Sequence, residues 1–137
     1  MVCWHYRLRL VDRVAEIELC LDELERVLEA RIGDLRAVID PWGSGAGFDE
    51  DGGIELYAPS PEGLDEALRL YLEHVARERG LDPARLEQLV NEARRAIERD
   101  PRRFAELVAE HGRWVEELAL LALLVDEAQS EWEESVA

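Results

Sequence analysis

Three side chains in the second half of the chain, Arg69, His74 and His111, are of the types that carry acid–base chemistry. Histidine titrates near neutrality and can take or give a proton, while a guanidinium can hold an oxyanion. A small hydrolase or ribonuclease built on these three is one expectation. His111 also falls near the middle of a stripe formed by Phe104, Leu107, Val108 and Val115. A histidine in such a stripe is ordinarily a neutral, hydrogen-bonded core residue. Cys3 and His5 share one parity of the first ten residues and could offer two metal ligands, with nothing nearby to complete a set. The patterns E-x-x-H, H-E-x-x-H, G-x-S-x-G and S-x-x-K do not occur. Di-iron, zincin and serine-nucleophile chemistry therefore find no support, and neither a cofactor nor a metal is expected.

The Arg69-x-x-x-x-His74 spacing is similar to the Arg/His motif of HEPN-type ribonucleases, which are small helical proteins. The likeness covers six residues and departs at Leu70, where that motif carries a polar residue. It implies phosphodiester cleavage by Arg69 and His74.

A second candidate is the loop from Pro41 to Gly53, which holds five of the nine glycines. Gly43-Ser44-Gly45-Ala46-Gly47 invites comparison with a phosphate cradle. Its third glycine is one place early, however, and Asp49, Glu50 and Asp51 follow where a helix N-terminus should meet the phosphate. The chain contains no lysine, which eliminates a P-loop. Aligned as a calcium loop on Gly52, Asp49 and Asp51 take ligand positions, but Gly47 and Ala58 stand where the first ligand and the bidentate glutamate belong. An EF-hand is excluded. Asp49, Glu50 and Asp51 remain as a cation-binding group in a regulatory, small-molecule-binding reading of this loop.

Charge separates the function classes further. The 137 residues carry 32 acids against 16 bases, all arginine, for a net charge of -16. Base is absent between Asp40 and Arg69 and again after Arg113, where the chain reads Glu131, Trp132, Glu133, Glu134. A field of this sign repels phosphate and attracts basic partners, so no direct nucleic-acid binding is expected. Threonine is missing, Asn occurs once and Gln twice, a composition that fits growth at high temperature. Two cysteines make no disulfide framework, and Cys20, within an apolar stripe, reads as an inert core residue. No secretory leader pattern is present and the longest apolar stretch, Leu118 to Val125, is too short to span a bilayer. The expected location is the cytoplasm, with no membrane attachment.

The elements that must position these residues follow from periodicity. Residues 2–10 alternate Val2, Trp4, Tyr6, Leu8 and Leu10 against Cys3, His5, Arg7 and Arg9, the pattern of a half-buried strand. From Asp12, a plausible N-cap, the spacing of Val14, Ile17, Leu21, Leu24 and Leu28 predicts a helix that stops at Gly33. Residues 34–40 and 54–58 predict a β-hairpin with a long acidic loop, although 34–40 could instead extend the helix. Ser60-Pro61, Asp82-Pro83 and Asp100-Pro101 each predict a helix start. The second and third of these helices echo one another at an 18-residue offset. Val115 to Val125 is apolar on nearly every side, which demands a central helix or a surface shared with another chain.

These elements predict one α+β domain over 1–137, a strand–helix–hairpin–helix part (1–80) continuous with a helical part (81–137). A small antiparallel sheet is covered by helices, in the order that opens a ferredoxin-like split unit; a mainly α-helical bundle with one β-hairpin is the alternative. The favoured function is an acidic interaction and assembly module. It would form a homo-oligomer, most simply a dimer, through Trp114, Leu118, Leu121, Leu124 and Trp132. Its acidic surface would bind a basic protein partner.

Overall fold

The computed structural model describes residues 1–135. Six strands come first: β1 (Val2–Arg9), β2 (Val14–Asp22), β3 (Val27–Ile32), β4 (Leu35–Ile39), β5 (Gly47–Asp49) and β6 (Ile54–Ala58). Four helices follow: α1 (Pro61–Arg79), α2 (Pro83–Arg99), α3 (Pro101–His111) and α4 (Arg113–Ser135). The strands form one mixed sheet in the order β1-β2-β3-β4-β6-β5. The α+β class is as expected, but the sheet is neither small nor purely antiparallel, and an all-helical bundle is excluded.

The largest correction concerns residues 14–32, which are two strands and not a helix. Ala15, Ile17, Leu19 and Leu21 are buried while Val14 and Glu16 are exposed, a period of two. Beyond the turn the buried set becomes Leu28, Ala30 and Ile32. The turn itself is local chemistry: Asp22 Oδ1 accepts from the N–H groups of Leu24 and Glu25, both at 3.1 Å, and Arg26 adopts a φ of 56°. Leu24, which helical spacing places on the core stripe, sits at the tip and is 94% exposed. The stretch satisfies both periods on paper because Ile17 and Leu21 belong to each. With two strands in place of that helix, the chain opens on a four-stranded meander and not on a split βαββ unit.

The hairpin expected between 34–40 and 54–58 is corrected in the same way. β4 and β6 are neighbours but run parallel, with Leu35 opposite Ile54 and Ile39 opposite Ala58. Parallel pairing needs a crossover. The Asp40–Gly53 segment supplies it and inserts β5, which returns antiparallel on β6.

Cys20 lies on the outer face of β2 and not in the core. It stands directly opposite Cys3 on β1 and the two form a disulfide. Strand parity put Cys3 and His5 on one face correctly, and the same parity carries Cys20.

The helical part follows its local signals. Ser60 Oγ accepts from Gly63 N–H, Asp82 from Ala84 N–H and Asp100 from Arg103 N–H, each with proline next in the chain. Gly80 ends α1 in the left-handed region at φ 66°. The helices cover one face of the sheet. α1 rests on β4, β5 and β6, and α4 on β3 and β4, while α2 and α3 lie over α4. α4 is thus enclosed by β3, β4, α1, α2 and α3, and every residue from Leu118 to Val125 is buried. Among the described residues no helix is long and apolar enough to cross a membrane.

Two outcomes follow from this arrangement. Leu121→Ala, at a site with no exposure, should lower the unfolding free energy by about 3 kcal/mol, whereas Leu24→Ala should change it by less than about 0.5 kcal/mol in denaturant titrations. Reduction of the Cys3–Cys20 bridge, which closes a loop of sequence separation 17, should remove about 2–3 kcal/mol, read as a lowered melting midpoint with reductant.

Candidate functional site

Three turns and helix ends meet where the sheet's β4–β6–β5 side approaches the start of α4. The β3–β4 connection is the two-residue turn Gly33-Asp34, with Gly33 at φ 58°, the pattern that places glycine first in a hairpin turn. It projects Asp34. The β5–β6 turn carries Asp49, Glu50 and Asp51, and Asp49 Oδ1 accepts from Asp51 N–H at 2.9 Å. The two turns are tied together by Ile54 N–H, which donates to Asp34 O at 3.0 Å. Gly53 has a φ of 150°, and a Cβ there would meet Asp34 O at 2.4 Å, so only glycine admits this approach.

Glu50 points away from its two acidic neighbours and toward α1. His74 Nε2 lies 3.3 Å from Glu50 Oε1, and Phe48 of β5 packs on Tyr71 at 5.0 Å and on His74 at 5.1 Å between ring centroids. The Tyr71 side chain is buried, and Glu50 faces it. From α4, Glu117 faces the same region. Desolvation raises the Glu117 carboxyl above its ordinary value of 4.5; Asp34 and Glu50 push it further up, and Arg79 opposes them. Tyr71 is likewise held well above the tyrosine range, by burial first and then by Glu50 and Glu117. Arg79 opposes them from α1 and is itself engaged, its guanidinium 4.3 Å over the Trp114 ring, while Arg113 lines the cleft on the α4 side and Arg31 and Arg36 lie beside Asp34 on the sheet.

Next to this cluster α4 begins with the buried Glu116, 3% exposed, which ion-pairs with Arg13 of the β1–β2 turn. A cleft of about 430 Å³ runs between them, lined by Asp34, Arg113, Glu116 and Glu117 among others. Glu116, the acid in the first turn of α4, sits favourably in the helix dipole.

The candidate catalytic residues do not converge. Arg69 pairs with Glu73 at 3.2 Å and lines a groove between α1 and α2 that contains neither histidine. Five positions on one helix separate Arg69 from His74 by about 140°. His111 is the last residue of α3, exposed, its Nε2 3.7 Å from Glu110, and is not a core residue. Beside the Glu50–His74 pair lies Tyr71, its ring centroid 6.2 Å from that of His74, with burial and Glu50 raising its hydroxyl above the ordinary tyrosine range. Asp49 and Asp51 line a shallow cleft of about 160 Å³ with Arg31 and Arg36, while Glu50 faces His74, so the three acids do not share one ion. Among the described residues no group of three or more His, Cys, Asp or Glu is arranged to hold a metal ion. Leu118, Leu121 and Leu124 are enclosed by the chain itself. Trp114 and Trp132 are half-buried against the core.

Sequence reasoning singled out Glu50 and His74 but passed over Asp34, Tyr71 and Glu117. No family model matches the chain, and no curated protein or solved structure is detectably similar to it.

Glu117 generates a pH prediction. Its folded-state proton affinity exceeds the unfolded one, so the folded chain binds more protons just above pH 4.5 and stability falls as pH rises through that window. Glu117→Gln should raise the melting midpoint at neutral pH and flatten this decline. An unchanged pH profile would contradict the assignment.

Proposed function

We propose that this chain is a binding module for a basic segment of a protein partner, docked on the Asp34, Glu50 and Glu117 carboxylates. The observation that carries this reading is that Asp34 of the β3–β4 turn and Glu50 of the β5–β6 turn, two turns joined by the Ile54–Asp34 hydrogen bond, both face Glu117 of α4, which shares one cleft with Asp34. Like charges held this close lower the stability of the free chain. An arriving guanidinium or ammonium removes that repulsion and donates hydrogen bonds to carboxylates on turns that the Ile54–Asp34 hydrogen bond and the Gly53 approach hold together. The net charge of -16 favours encounter with a basic partner and opposes nucleic acid.

Self-association through α4 no longer has the support that periodicity lent it, because the chain itself encloses Leu118, Leu121 and Leu124. Hydrolase and ribonuclease readings lack a convergent Arg69, His74 and His111. The disulfide suits an oxidising compartment or the disulfide-rich interior of hyperthermophiles, and the composition favours the second.

The test uses a fluorescent peptide alternating Arg and Gly, followed by anisotropy. Neutralising the site as Asp34→Asn, Glu50→Gln, Glu117→Gln should weaken binding by about tenfold or more. Neutralising three exposed acids elsewhere, Glu23→Gln, Glu87→Gln and Glu133→Gln, should weaken it by less than about twofold at physiological salt. Equal losses in the two triples would mean that only net charge attracts the peptide, and would overturn the proposal.

A further inference from the structure

β1 is the edge of the sheet, paired with β2 on one side only. Two observations establish which of its backbone groups are free. Leu10 N–H donates to Arg13 O at 2.8 Å, so Leu10 and Arg13 are a hydrogen-bonded pair closing the β1–β2 hairpin. In an antiparallel ladder such pairs alternate with pairs that exchange no bonds. Counting back along the register makes Arg9, Arg7, His5 and Cys3 the non-bonded positions. The Cα–Cα distance of 4.1 Å between Cys3 and Cys20 agrees, being nearer the 4.5 Å of a non-bonded pair than the 5.5 Å of a bonded one. The N–H and C=O groups of Cys3, His5, Arg7 and Arg9 therefore point outward along a free edge.

The same four residues set the charge of that edge. Residues 1–11 contain His5, Arg7 and Arg9 and no acid, in a chain where acids outnumber bases two to one. His5 lies 3.4 Å from Glu16 and 3.9 Å from Glu18 of β2. Among the described residues Arg7 and Arg9 enter no ion pair, although Arg7 stands opposite Glu16. Across the outer face, acid meets base between β2 and β3 in Glu18–Arg31 and between β4 and β6 in Arg36–Glu55. On β1 the row is basic and its outer neighbour is missing. On the inner face, Val2 is 47% and Tyr6 37% exposed, with Trp4 half-buried between them.

From this juxtaposition we infer that β1 is a docking edge for an extended acidic segment of a partner protein, which adds a seventh strand to the sheet. Segment residues opposite His5, Arg7 and Arg9 carry carboxylates on the outer face, and alternate residues lay apolar side chains beside Val2, Trp4 and Tyr6. Charge complementarity selects this occupant. A second copy of β1 would bring its own basic row against this one, and basic side chains on an edge are the ordinary guard against such self-pairing. On the inner face Glu98 and Glu127 lie near Tyr6 and Glu131 near Trp4, so there the added strand presents apolar side chains and its carboxylates stand on the outer, basic face; the acid cluster beside β4 and β5 is screened at a length of about 8 Å at physiological salt. The Cys3–Cys20 bridge holds β1 in register before the partner arrives, which lowers the ordering cost of strand addition.

The experiment is amide hydrogen exchange by NMR on the disulfide-bonded protein, with an eight-residue synthetic peptide alternating Glu and Val as probe. In the free protein the amides of Cys3, His5, Arg7 and Arg9 should exchange fast, between protected amides at Trp4, Tyr6 and Leu8. Peptide should slow exchange at the four outward amides, and the Arg7→Glu, Arg9→Glu variant should bind it about tenfold or more weakly. Both substitutions are at exposed positions, and retained protection at Tyr6 and Leu8 confirms that the variant's strand is intact. Three results would overturn the inference: no protection at the outward amides, equal binding of a peptide alternating Lys and Val, or protection that grows with protein concentration in the absence of peptide. The last would identify a second copy as the occupant.

Discussion

A helix with no polar face cannot lie at a surface, and the rest of this molecule is organised around that constraint. From Leu118 to Val125 α4 presents leucine, alanine or valine in every direction, and each large aliphatic side chain gains on the order of 2 kcal/mol on leaving water. One sheet covers only one side of a helix. The chain supplies β3 and β4 beneath α4 and wraps α1, α2 and α3 around its remaining sides. The small residues Ala119, Ala122 and Ala128 let those neighbours approach closely.

Enclosure of the helix also determines where its charged start must go. Glu116 is buried with the first turn and is compensated by Arg13 of the β1–β2 turn, which lies at the same end of the meander as the Gly33-Asp34 turn. Glu117, one residue on, is turned by 100° toward the β3–β4 and β5–β6 turns. There Asp34 and Glu50 are already held by backbone bonds and by the Gly53 approach. The carboxylate cluster is thus a consequence of two separate requirements, a buried helix that needs an N-terminal charge and two turns that need Asp and Gly. Its net repulsion is tolerated because the core beneath it is large.

The uncovered face and edge of the sheet have a different character. Side chains there are paired laterally, acid to base across strands, and contribute little individually because they are solvated. The Cys3–Cys20 bridge is the strong cross-strand link on this side. The molecule has an acidic end at the helix–turn junction and a basic row along β1, so its surface is bipolar despite the large negative total. A sum of charges hides this. Only placement reveals it.

What could be read directly from the sequence was whatever local chemistry decides. Ser60, Asp82 and Asp100 start helices because an oxygen two or three residues before an orphan N–H, followed by proline, suffices without help from elsewhere. The alternation of residues 2–10 marked β1, and the apolar run marked α4 as central or shared. Between 14 and 32 two periods overlap, and what separates them is the Asp22–Arg26 turn, whose change of parity only becomes visible once β1 and β4 are present to pair with. Likewise the direction of β4 against β6, the Cys3–Cys20 pairing and the meeting of Asp34, Glu50 and Glu117 depend on residues 16 to 83 positions apart. For Cys3 and Cys20 the link is the β1–β2 hairpin register, and for the three acids it is the packing of α4 on β3 and β4, neither of which a local rule supplies before the strands are assigned.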